Sequence, residues 1–284
     1  MKKILATLLT ASSIFLLAAC SSTPESSTDT SSTPNANTAD NTTALADIKE
    51  AGELVIGTSP DFAPFEFPMQ VDGKNEIVGV DIDIAQAVAD SLGVDLKIMQ
   101  LDFDNLLPSM QAGKLDMVLA GISATEERQA SADFSTPYFT PSQKVVINKK
   151  DLATYTTPES LAGKNVGAQK GSIQEDVAKE QLADANLILI PKNTTMLIQI
   201  SSGGLDAMVL EGAVAEAYVK QNTDLAIADI ELTSSDDESY AIALPKNSGD
   251  LKTEVDKVIN DLIENDKINE IVQKNSELAD ENAQ

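Results

Sequence analysis

Charged and hydroxyl-bearing residues stand where three predicted strands end. Arg128 follows the segment 123–126, whose capping-box spacing predicts a helix start, and its guanidinium can pair bidentately with a carboxylate. Residues 169–175 form a second strand–glycine–capping-box element, whose free N–H groups also favour a carboxylate. Glu211, at a strand end beside Gly212, suits an ammonium group. Capping boxes are common, so each element alone is weak, but together they predict a receptor for a zwitterion.

Alternating strand-like and helix-like segments would position these residues. The predicted strands are 54–57, 94–98, 117–120, 145–147, 166–169, 187–190 and 207–210. Helical spacing marks 84–92, which ends at Gly93, and the closing segments 251–264 and 267–277. Strands that alternate with helices of this length predict open α/β sheets with right-handed crossovers.

One sequence pattern recurs about ninety residues along the chain. Gly113-Lys114-Leu115-Asp116-Met117-Val118-Leu119 resembles Gly204-Leu205-Asp206-Ala207-Met208-Val209-Leu210, and in each a helix is predicted to end at glycine before a strand begins. Convergent turn chemistry and two similar α/β lobes explain this equally well. In the second interpretation both lobes offer strand ends to one cleft, where open α/β sheets collect ligands.

The N-terminus has the features of an export signal. Lys2 and Lys3 precede an apolar run, residues 4–19, that is shorter than the roughly 18 to 20 residues needed to span a bilayer. Leu17-Ala18-Ala19-Cys20 resembles a bacterial lipobox, in which the new N-terminal cysteine is acylated. An ordinary cleaved signal with a chance cysteine is the alternative. The lipobox interpretation predicts a lipoprotein anchored by the acyl chains on Cys20, since two chains hold a protein stably where one is marginal.

The residue inventory excludes most catalytic chemistry. The chain contains no histidine, which rules out Ser-His-Asp triads, histidine bases and histidine metal sites. Cys20 is the only cysteine, and its acylation would remove thiol nucleophiles, disulfides and cysteine–zinc sites. Only carboxylate, Lys, Tyr and Ser chemistry remains, so we do not expect a hydrolase, and we predict no catalytic residues, cofactor or metal.

Composition separates a tether from a folded part and excludes nucleic acid. Residues 21–43 are almost entirely Ser, Thr, Asn, Asp, Pro and Ala, which predicts a flexible linker before a folded part at about 44–279. Loss of Lys2 and Lys3 with the signal peptide changes the formal net charge from −25 to −27. A chain this acidic does not hold nucleic acid by neutralising phosphates.

Several motifs stand in a fixed order along the folded part. They are Leu54-Val55-Ile56-Gly57-Thr58 with Phe62-Ala63-Pro64-Phe65-Glu66, then Gly79-Val80-Asp81-Ile82-Asp83-Ile84-Ala85, then Gly121-Ile122-Ser123 through Glu127-Arg128, and Asp133-Phe134-Ser135-Thr136-Pro137-Tyr138. Together they resemble the polar amino-acid-binding proteins of ABC importers. The resemblance implies a two-lobed, type II periplasmic-binding-protein-like α/β fold, in which each lobe is an open mixed sheet flanked by helices and two crossing strands join the lobes.

The resemblance also implies how the backbone groups of an amino acid are bound. Arg128 would bind the α-carboxylate, helped by Ser123 and by the loop at Ser172. The carbonyl of Gly121 and the carboxylate of Glu211 would bind the α-ammonium group.

Four further residues would surround the ligand side chain by the same resemblance. Phe62 and Phe103 would sandwich it, and their flat rings suit an amide or a guanidinium. Core packing is the alternative for either ring. Glu66 and Gln169 are weaker candidates for polar contact.

Two departures leave the ligand and one alternative open. Relatives that take glutamine or basic amino acids often carry an acid where Ser59 stands, whereas here the nearest acid is Asp61; relatives also commonly carry Asp where Glu211 stands. Glutamine and arginine or another basic amino acid therefore both remain open. The alternative function is a cyclohexadienyl dehydratase-like enzyme on the same fold, with Glu211 or Glu66 as general acid.

The resemblance divides the chain and names its partners. It predicts a signal peptide at 1–19, the lipidated Cys20 and tether at 20–43, lobe one at 44–142 with 237–284, and lobe two at 143–236. Ligand binding would close the hinge, and the closed monomer would dock on a permease with its ATPase. The lipid anchor would hold the protein on the extracellular face of the membrane. The tether suits a Gram-positive surface, although a Gram-negative lipoprotein has a similar pattern.

Overall fold

A computed structural model describes residues 43–282 of the chain. The predicted signal peptide, Cys20 and all but the last residue of the tether lie outside these residues. Within residues 43–282, no helix combines the length and apolar character that a membrane crossing requires.

Strands and helices alternate along the described part of the chain, as the sequence predicts. The helices are α1 (Thr43–Ala51), α2 (Val80–Leu92), α3 (Leu106–Gln111), α4 (Glu126–Gln129), α5 (Ile173–Gln181), α6 (Asn193–Ser202), α7 (Gly212–Gln221), α8 (Asp250–Glu264) and α9 (Lys267–Glu281). The strands are β1 (Glu53–Thr58), β2 (Phe67–Val71), β3 (Lys74–Val78), β4 (Asp95–Gln100), β5 (Met117–Val118), β6 (Ala132–Phe134), β7 (Gln143–Asn148), β8 (Asn165–Gln169), β9 (Asn186–Ile190), β10 (Ala207–Glu211), β11 (Leu225–Ile227) and β12 (Ala243–Pro245).

The first sheet is open and mixed, with the strand order β4-β1-β5-β12-β6. β1 runs parallel to β4 and β5, and β12 runs antiparallel to β5 and β6. Leu54 and Ile56 of β1 share a buried core with Ile84 and Val88 of α2. The helical spacing of the α2 residues places this apolar stripe against the sheet.

The second sheet repeats this arrangement, with the order β11-β7-β10-β8-β9. β8 runs parallel to β9 and β10, and β7 runs antiparallel to β10 and β11. Every residue of β10 is buried, as expected for a central strand that is covered on both faces. Two open mixed sheets flanked by helices confirm the predicted fold class.

Two paired chain segments connect the sheets. One passes from β6 to β7 and the other returns from β11 to β12. The Tyr240 N–H donates to the Phe139 carbonyl at 2.7 Å, and the Tyr138 N–H donates to the Tyr240 carbonyl at 2.9 Å. The Tyr240 ring is buried and meets the Phe65 ring edge-on, with ring centres 5.0 Å apart. The predicted pair of crossing strands is therefore present.

Equivalent aspartates explain the recurring sequence pattern. Asp116 accepts a hydrogen bond from the Val55 N–H at 2.7 Å and donates its own N–H to the Val55 carbonyl at 2.8 Å. Asp206 does the same with Asn165, at 2.9 Å for both bonds. Each aspartate thus fixes the start of its own strand, β5 or β10, against the parallel strand beside it. This geometry favours two similar α/β units.

Three local predictions are wrong. The predicted capping box at Ser172 does not form, because the Ser172 hydroxyl donates to the Gln169 carbonyl and Glu175 accepts from the Gly171 N–H. α4 begins at Glu126 with Thr125 as its N-cap, whose hydroxyl accepts from the Arg128 N–H at 3.3 Å, so Ser123 does not cap it. Thr125 takes over because its extended backbone places the hydroxyl within reach of the N–H three residues on. The strand predicted at 117–120 already ends at Val118, where the chain turns into the loop that carries Gly121.

Candidate functional site

A buried cavity lies where strands of the two sheets end. β1 and β5 of the first sheet and β8 and β10 of the second all reach it with their carboxyl ends, the usual ligand position in open α/β sheets. The space left free inside the cavity is only about 10 Å³, so its walls lie close together. Its walls are Ser59, Asp61, Phe62, Glu66, Phe103, Ala120, Gly121, Arg128, Gln169, Ser172, Ile173, Gln174 and Glu211.

Arg128 connects the two sides of this cavity. Its guanidinium donates to the Ser123 carbonyl at 2.8 Å and to the Gly171 carbonyl at 3.0 Å. The guanidinium carbon lies 5.5 Å from the centre of the Phe103 ring, within cation–π distance. Burial lowers the pKa of Arg128 to about 10, so the side chain stays charged at neutral pH and offers a cation to an anionic ligand group.

Aromatic rings form two further parts of the wall. Phe62 is buried and packs against Phe65 and Tyr240, with ring centres 5.8 and 6.3 Å away. Phe103, on a short 3₁₀ turn, is only partly buried. Phe62 therefore packs in the core and also lines the cavity, so core packing does not exclude contact with a ligand.

Gly121 has a backbone conformation that depends on glycine. Its φ is 54°, and a Cβ at this position would lie 2.5 Å from Cε1 of Phe62. The Gly121 N–H donates to Asp81 at 2.8 Å, and the Tyr138 hydroxyl donates to the other oxygen of Asp81 at 2.7 Å. Burial raises the pKa of Asp81 to about 6. Asp81 thus positions the Gly121 loop from behind the cavity.

Glu211 is a buried carboxylate at the end of β10. Its Oε2 has no hydrogen-bond partner within the described part of the chain, and burial raises its pKa to about 7. An unpaired carboxylate costs free energy in a buried site unless a cation reaches it. The position therefore favours a ligand ammonium group, as the sequence predicts.

Gln169 and Ser172 also line the cavity, whereas Ser123 is not in its wall. The Gln169 amide donates to the Pro191 carbonyl at 3.0 Å, and the Ser172 hydroxyl donates to the Gln169 carbonyl at 2.7 Å. The Ser123 hydroxyl donates away from the cavity, to the Glu238 carbonyl at 2.8 Å. Seven of the eight predicted ligand-binding residues are thus brought together, and Ser123 contributes by holding Arg128.

Asp61 is a cavity residue that the sequence prediction left out. The sequence feature that could have indicated this role is its position next to Phe62. Its Oδ2 accepts from the Asn193 N–H at 2.6 Å, and its Oδ1 accepts from the Ser59 hydroxyl at 3.4 Å. Burial raises the pKa of Asp61 to about 6. The contact with Asn193 ties Asp61 of the first side to the start of α6 on the second.

Glu66 is the most isolated charged group of the cavity. Its exposed fraction is 0%, and neither carboxylate oxygen has a hydrogen-bond partner within residues 43–282. Burial, together with the negative charges of Asp81, Asp61 and Glu211, raises its pKa well above the usual range. The sequence indicated only a weak polar contact here, because the burial of Glu66 depends on residues distant in the chain.

The wall as a whole carries an excess of acid. Asp61, Glu66 and Glu211 are acidic, and Arg128 is the only lysine or arginine among the described residues that form the wall. The described residues include no cluster of histidine, cysteine, aspartate and glutamate side chains that could hold a metal ion. The cavity therefore suits an organic molecule with one anionic group and more than one cationic or donor group.

Comparison with known proteins agrees with this arrangement. Residues 54–277 match the bacterial extracellular solute-binding proteins, family 3. The chain belongs to this family. Its members are binding proteins rather than enzymes, which sets the dehydratase alternative aside and confirms the predicted class.

Several relatives of this solute-binding protein are named for their ligands. The arginine-binding extracellular protein ArtP of Bacillus subtilis is 33% identical, over 78% of this chain and 85% of the relative. The amino acid ABC transporter substrate-binding protein AbpA of Streptococcus pneumoniae, solved bound to L-arginine, is 46% identical with a TM-score of 0.79, over 82% and 98% of the two chains. An ancestral arginine-binding protein solved bound to glutamine is 35% identical with a TM-score of 0.72, over 78% and 97%.

Ion pairs close the rim of the cavity in this solute-binding protein. Lys170 lies 2.8 Å from Asp104, and Lys192 lies 3.8 Å from Asp102, each pair joining the two sides. Because both lysines are more than half exposed, these pairs contribute little free energy. The buried hydrogen bond between Asp61 and Asn193 holds the two sides together more strongly.

Proposed function

We propose that this protein captures L-arginine, or a closely similar cationic L-amino acid, between two lobes and delivers it to the permease of an ABC importer. The observation that carries the proposal is Glu66, a fully buried carboxylate without a described partner that faces the same cavity as Asp61. A guanidinium supplies the positive charge and the several donors that this pair lacks. A glutamine amide supplies two donors but no charge.

The α-groups and the tip of the ligand side chain would bind at opposite ends of the cavity. The α-carboxylate would meet Arg128 near the start of α5, where the helix dipole is favourable. The α-ammonium would meet Glu211 and the Gly121 carbonyl. The side chain would extend between Phe62 and Phe103 toward Asp61 and Glu66. The arginine that ArtP is named for and that is bound in the AbpA structure supports arginine as the ligand.

Capture would require two lobes that separate and close. We assign lobe one to 44–142 with 237–284, which carries the first sheet, and lobe two to 143–236, which carries the second. Because Asp61 and Glu66 belong to lobe one and Glu211 to lobe two, a ligand must contact both to satisfy all three carboxylates. Ligand binding then favours closure further, beyond the contacts that already join the two sides.

The same proposal includes a lipid anchor. Cys20 would be acylated after cleavage of 1–19, and the Ser/Thr-rich tether would let the lobes reach the permease from the outer face of the membrane. The protein would act as a monomer, and a Gram-positive surface is the proposed location.

Isothermal titration calorimetry with arginine and glutamine tests the ligand. We expect arginine to bind in the micromolar range or tighter, about −8 kcal/mol or more, and glutamine to bind at least tenfold more weakly. Glu66→Gln keeps the shape and removes the charge, so it should weaken arginine binding at least tenfold and change glutamine binding less than threefold.

The matched control is Glu216→Gln, at an exposed position of α7, which should change neither affinity. Equal affinity for the two amino acids in the unaltered protein would contradict the assignment of arginine, and a Glu66→Gln variant that still prefers arginine to the same degree would contradict the role of Glu66.

A further inference from the structure

A large groove lies directly outside the acidic end of the cavity. It has a volume of about 620 Å³, and Ser59 and Asp61 line both the groove and the cavity. The segment from Ser59 to Asp61 is therefore the wall between them. The groove also draws residues from both sheets, including Leu101 on one side and Thr194 on the other, so it forms only when the two sides come together.

The position of Asp61 determines what can reach this groove. On the side of α6, its carboxylate accepts from the Asn193 N–H, and its carbonyl accepts from the Tyr218 hydroxyl at 2.6 Å. These contacts fix the carboxylate at the boundary of the two spaces. In the proposed arginine orientation, a guanidinium that pairs with Asp61 from the cavity would have its outermost nitrogen at this boundary, next to the groove.

The chemistry of the groove suits an uncharged, partly apolar group. Its inner surface includes the buried Ala63 and Phe67 and the half-buried Leu101. Apart from Asp61, its charged groups are Asp102 and Lys192, and these two already pair with each other at the rim. An alkyl substituent would cover apolar surface here without separating a buried ion pair.

The opposite end of the cavity does not offer the same room. A second groove, of about 370 Å³, lies outside Arg128, and Glu127, Glu175 and Asp176 line it together with Asp104 and Lys179. The hydrogen bond between Arg128 and Gly171 joins the two sides here, as the one between Asp61 and Asn193 does at the acidic end, so the two ends differ in charge rather than in closure. A ligand extended at its carboxyl end, such as a dipeptide, would break the contact between Arg128 and Gly171 and bring its own carboxylate among acidic side chains.

We propose that the protein binds cationic L-amino acids whose side-chain terminal nitrogen carries an alkyl substituent, with the substituent in the groove beyond Asp61. This inference rests on the proposed function, because it requires the arginine orientation given above. It names a ligand class that is extended at the side chain and excludes one that is extended at the carboxyl end.

Calorimetric titration of the purified protein tests the inference with three probes: L-arginine, Nω-propyl-L-arginine and arginyl-alanine. We expect Nω-propyl-L-arginine to bind within tenfold of arginine and arginyl-alanine to bind at least a hundredfold more weakly. Weaker binding of Nω-propyl-L-arginine than this tenfold limit, while arginine binds normally, overturns the inference and leaves the proposed function standing. Failure of arginine itself to bind overturns both.

A pair of variants identifies the groove as the location of the substituent. Thr194 is exposed and lines the groove, so Thr194→Trp should fill it and weaken Nω-propyl-L-arginine at least fivefold more than arginine. Thr223→Trp, at an exposed loop position of the same sheet unit, is the control and should leave the ratio of the two affinities unchanged. An unchanged ratio in Thr194→Trp, or the same change in both variants, overturns the inference.

Discussion

Arg128 makes contacts that depend on the shape of its side chain as well as on its charge. The planar guanidinium reaches the Ser123 and Gly171 carbonyls at once and lies over the Phe103 ring. A lysine ammonium is a single point of charge and cannot reproduce this fork. The α-carboxylate of an amino acid would add a bidentate pair to the same plane.

Replacement of Arg128 should separate binding from folding. We expect Arg128→Ala to lose at least a hundredfold in affinity for arginine, about 3 kcal/mol, because the ligand carboxylate is left buried without a cation. Arg128→Lys should recover only part of this loss. Calorimetry gives the affinities, and thermal unfolding of the ligand-free variants checks that the fold persists. Affinity of Arg128→Ala within threefold of the unaltered protein would remove Arg128 from the site.

The aspartates that begin β5 and β10 give a prediction at the scale of the elements. Asp116 and Asp206 each accept a backbone N–H from the neighbouring strand, and hydrogen bonds to charged groups contribute about 1.5 to 3 kcal/mol. Asp206 also accepts from the Tyr155 hydroxyl at 3.0 Å. We expect Asp116→Ala and Asp206→Ala each to lower the free energy of unfolding by about 1 to 3 kcal/mol.

These two aspartates lie at the amino ends of their strands, away from the cavity, so arginine affinity should change less than threefold in either variant. Urea unfolding and calorimetry measure the two quantities. If one variant lost stability and the other did not, the two turns would not be structurally equivalent, and the similarity of the sequence pattern would be convergence.

The elements were predictable from the sequence to the extent that local chemistry determines them. The strand at β1, the helix α2 and its stop at Gly93 follow from apolar spacing and from the left-handed conformation that glycine adopts. The N-cap of α4 did not follow, because Ser123 and Thr125 both have hydroxyl groups and only the backbone conformation decides between them. Local spacing identifies the helix start but not its first residue.

The candidate site shows where sequence reasoning ends. Glu211 and Arg128 stand at element ends that periodicity can locate, so their positions were predictable. Glu66 appeared only as a weak contact because its burial depends on α2, the crossing strands and lobe two. Asp61 owes its place to Asn193, which is distant in the chain. Long-range packing, not local pattern, brings these two acids together at the proposed cation site.

The whole molecule carries a second contact between its proposed lobes, behind the cavity. Ala217 of α7 packs with Phe67 of β2 and Ala279 of α9 in a small buried cluster. Lys220 pairs with Asp280 at 3.0 Å beside it. Because Ala217 is buried against these residues, a larger side chain there would press α7 away from α9.

Ala217→Leu should therefore oppose closure without altering any residue of the cavity wall. We expect arginine affinity to fall at least fivefold, and small-angle scattering to show a larger radius of gyration without ligand. Glu216→Leu, at the exposed neighbouring position of α7, is the control for added apolar volume. Unchanged affinity in Ala217→Leu would mean that this rear contact does not take part in closure.

The buried acids should also make the stability of the whole molecule depend on pH. Burial raises the pKa values of Asp61 and Asp81 to about 6 and that of Glu211 to about 7, from ordinary values of 3.8 and 4.5. Between about pH 4 and 7 the folded, ligand-free protein thus holds protons that the unfolded chain has released. The free energy of unfolding falls as pH rises through this window, because the folded state binds more protons.

Thermal unfolding at pH 5 and pH 8, with and without arginine, measures this linkage. We expect the ligand-free protein to melt at a higher temperature at pH 5, and the stabilisation by arginine to be larger at pH 8, where the carboxylates are ionised and pair with the ligand. Repulsion among the negative charges of a chain of formal net charge −25 also lowers the melting temperature at the higher pH. Added salt screens exposed charges much more than buried ones, and at 0.5 M salt the screening length is about 4 Å. A pH effect on the melting temperature that persists at this salt concentration, and that is smaller in a Glu211→Gln variant, would therefore come from the cavity. A ligand-free protein that melts at the same temperature at both pH values would show that these carboxyl groups are already ionised and neutralised before the ligand arrives.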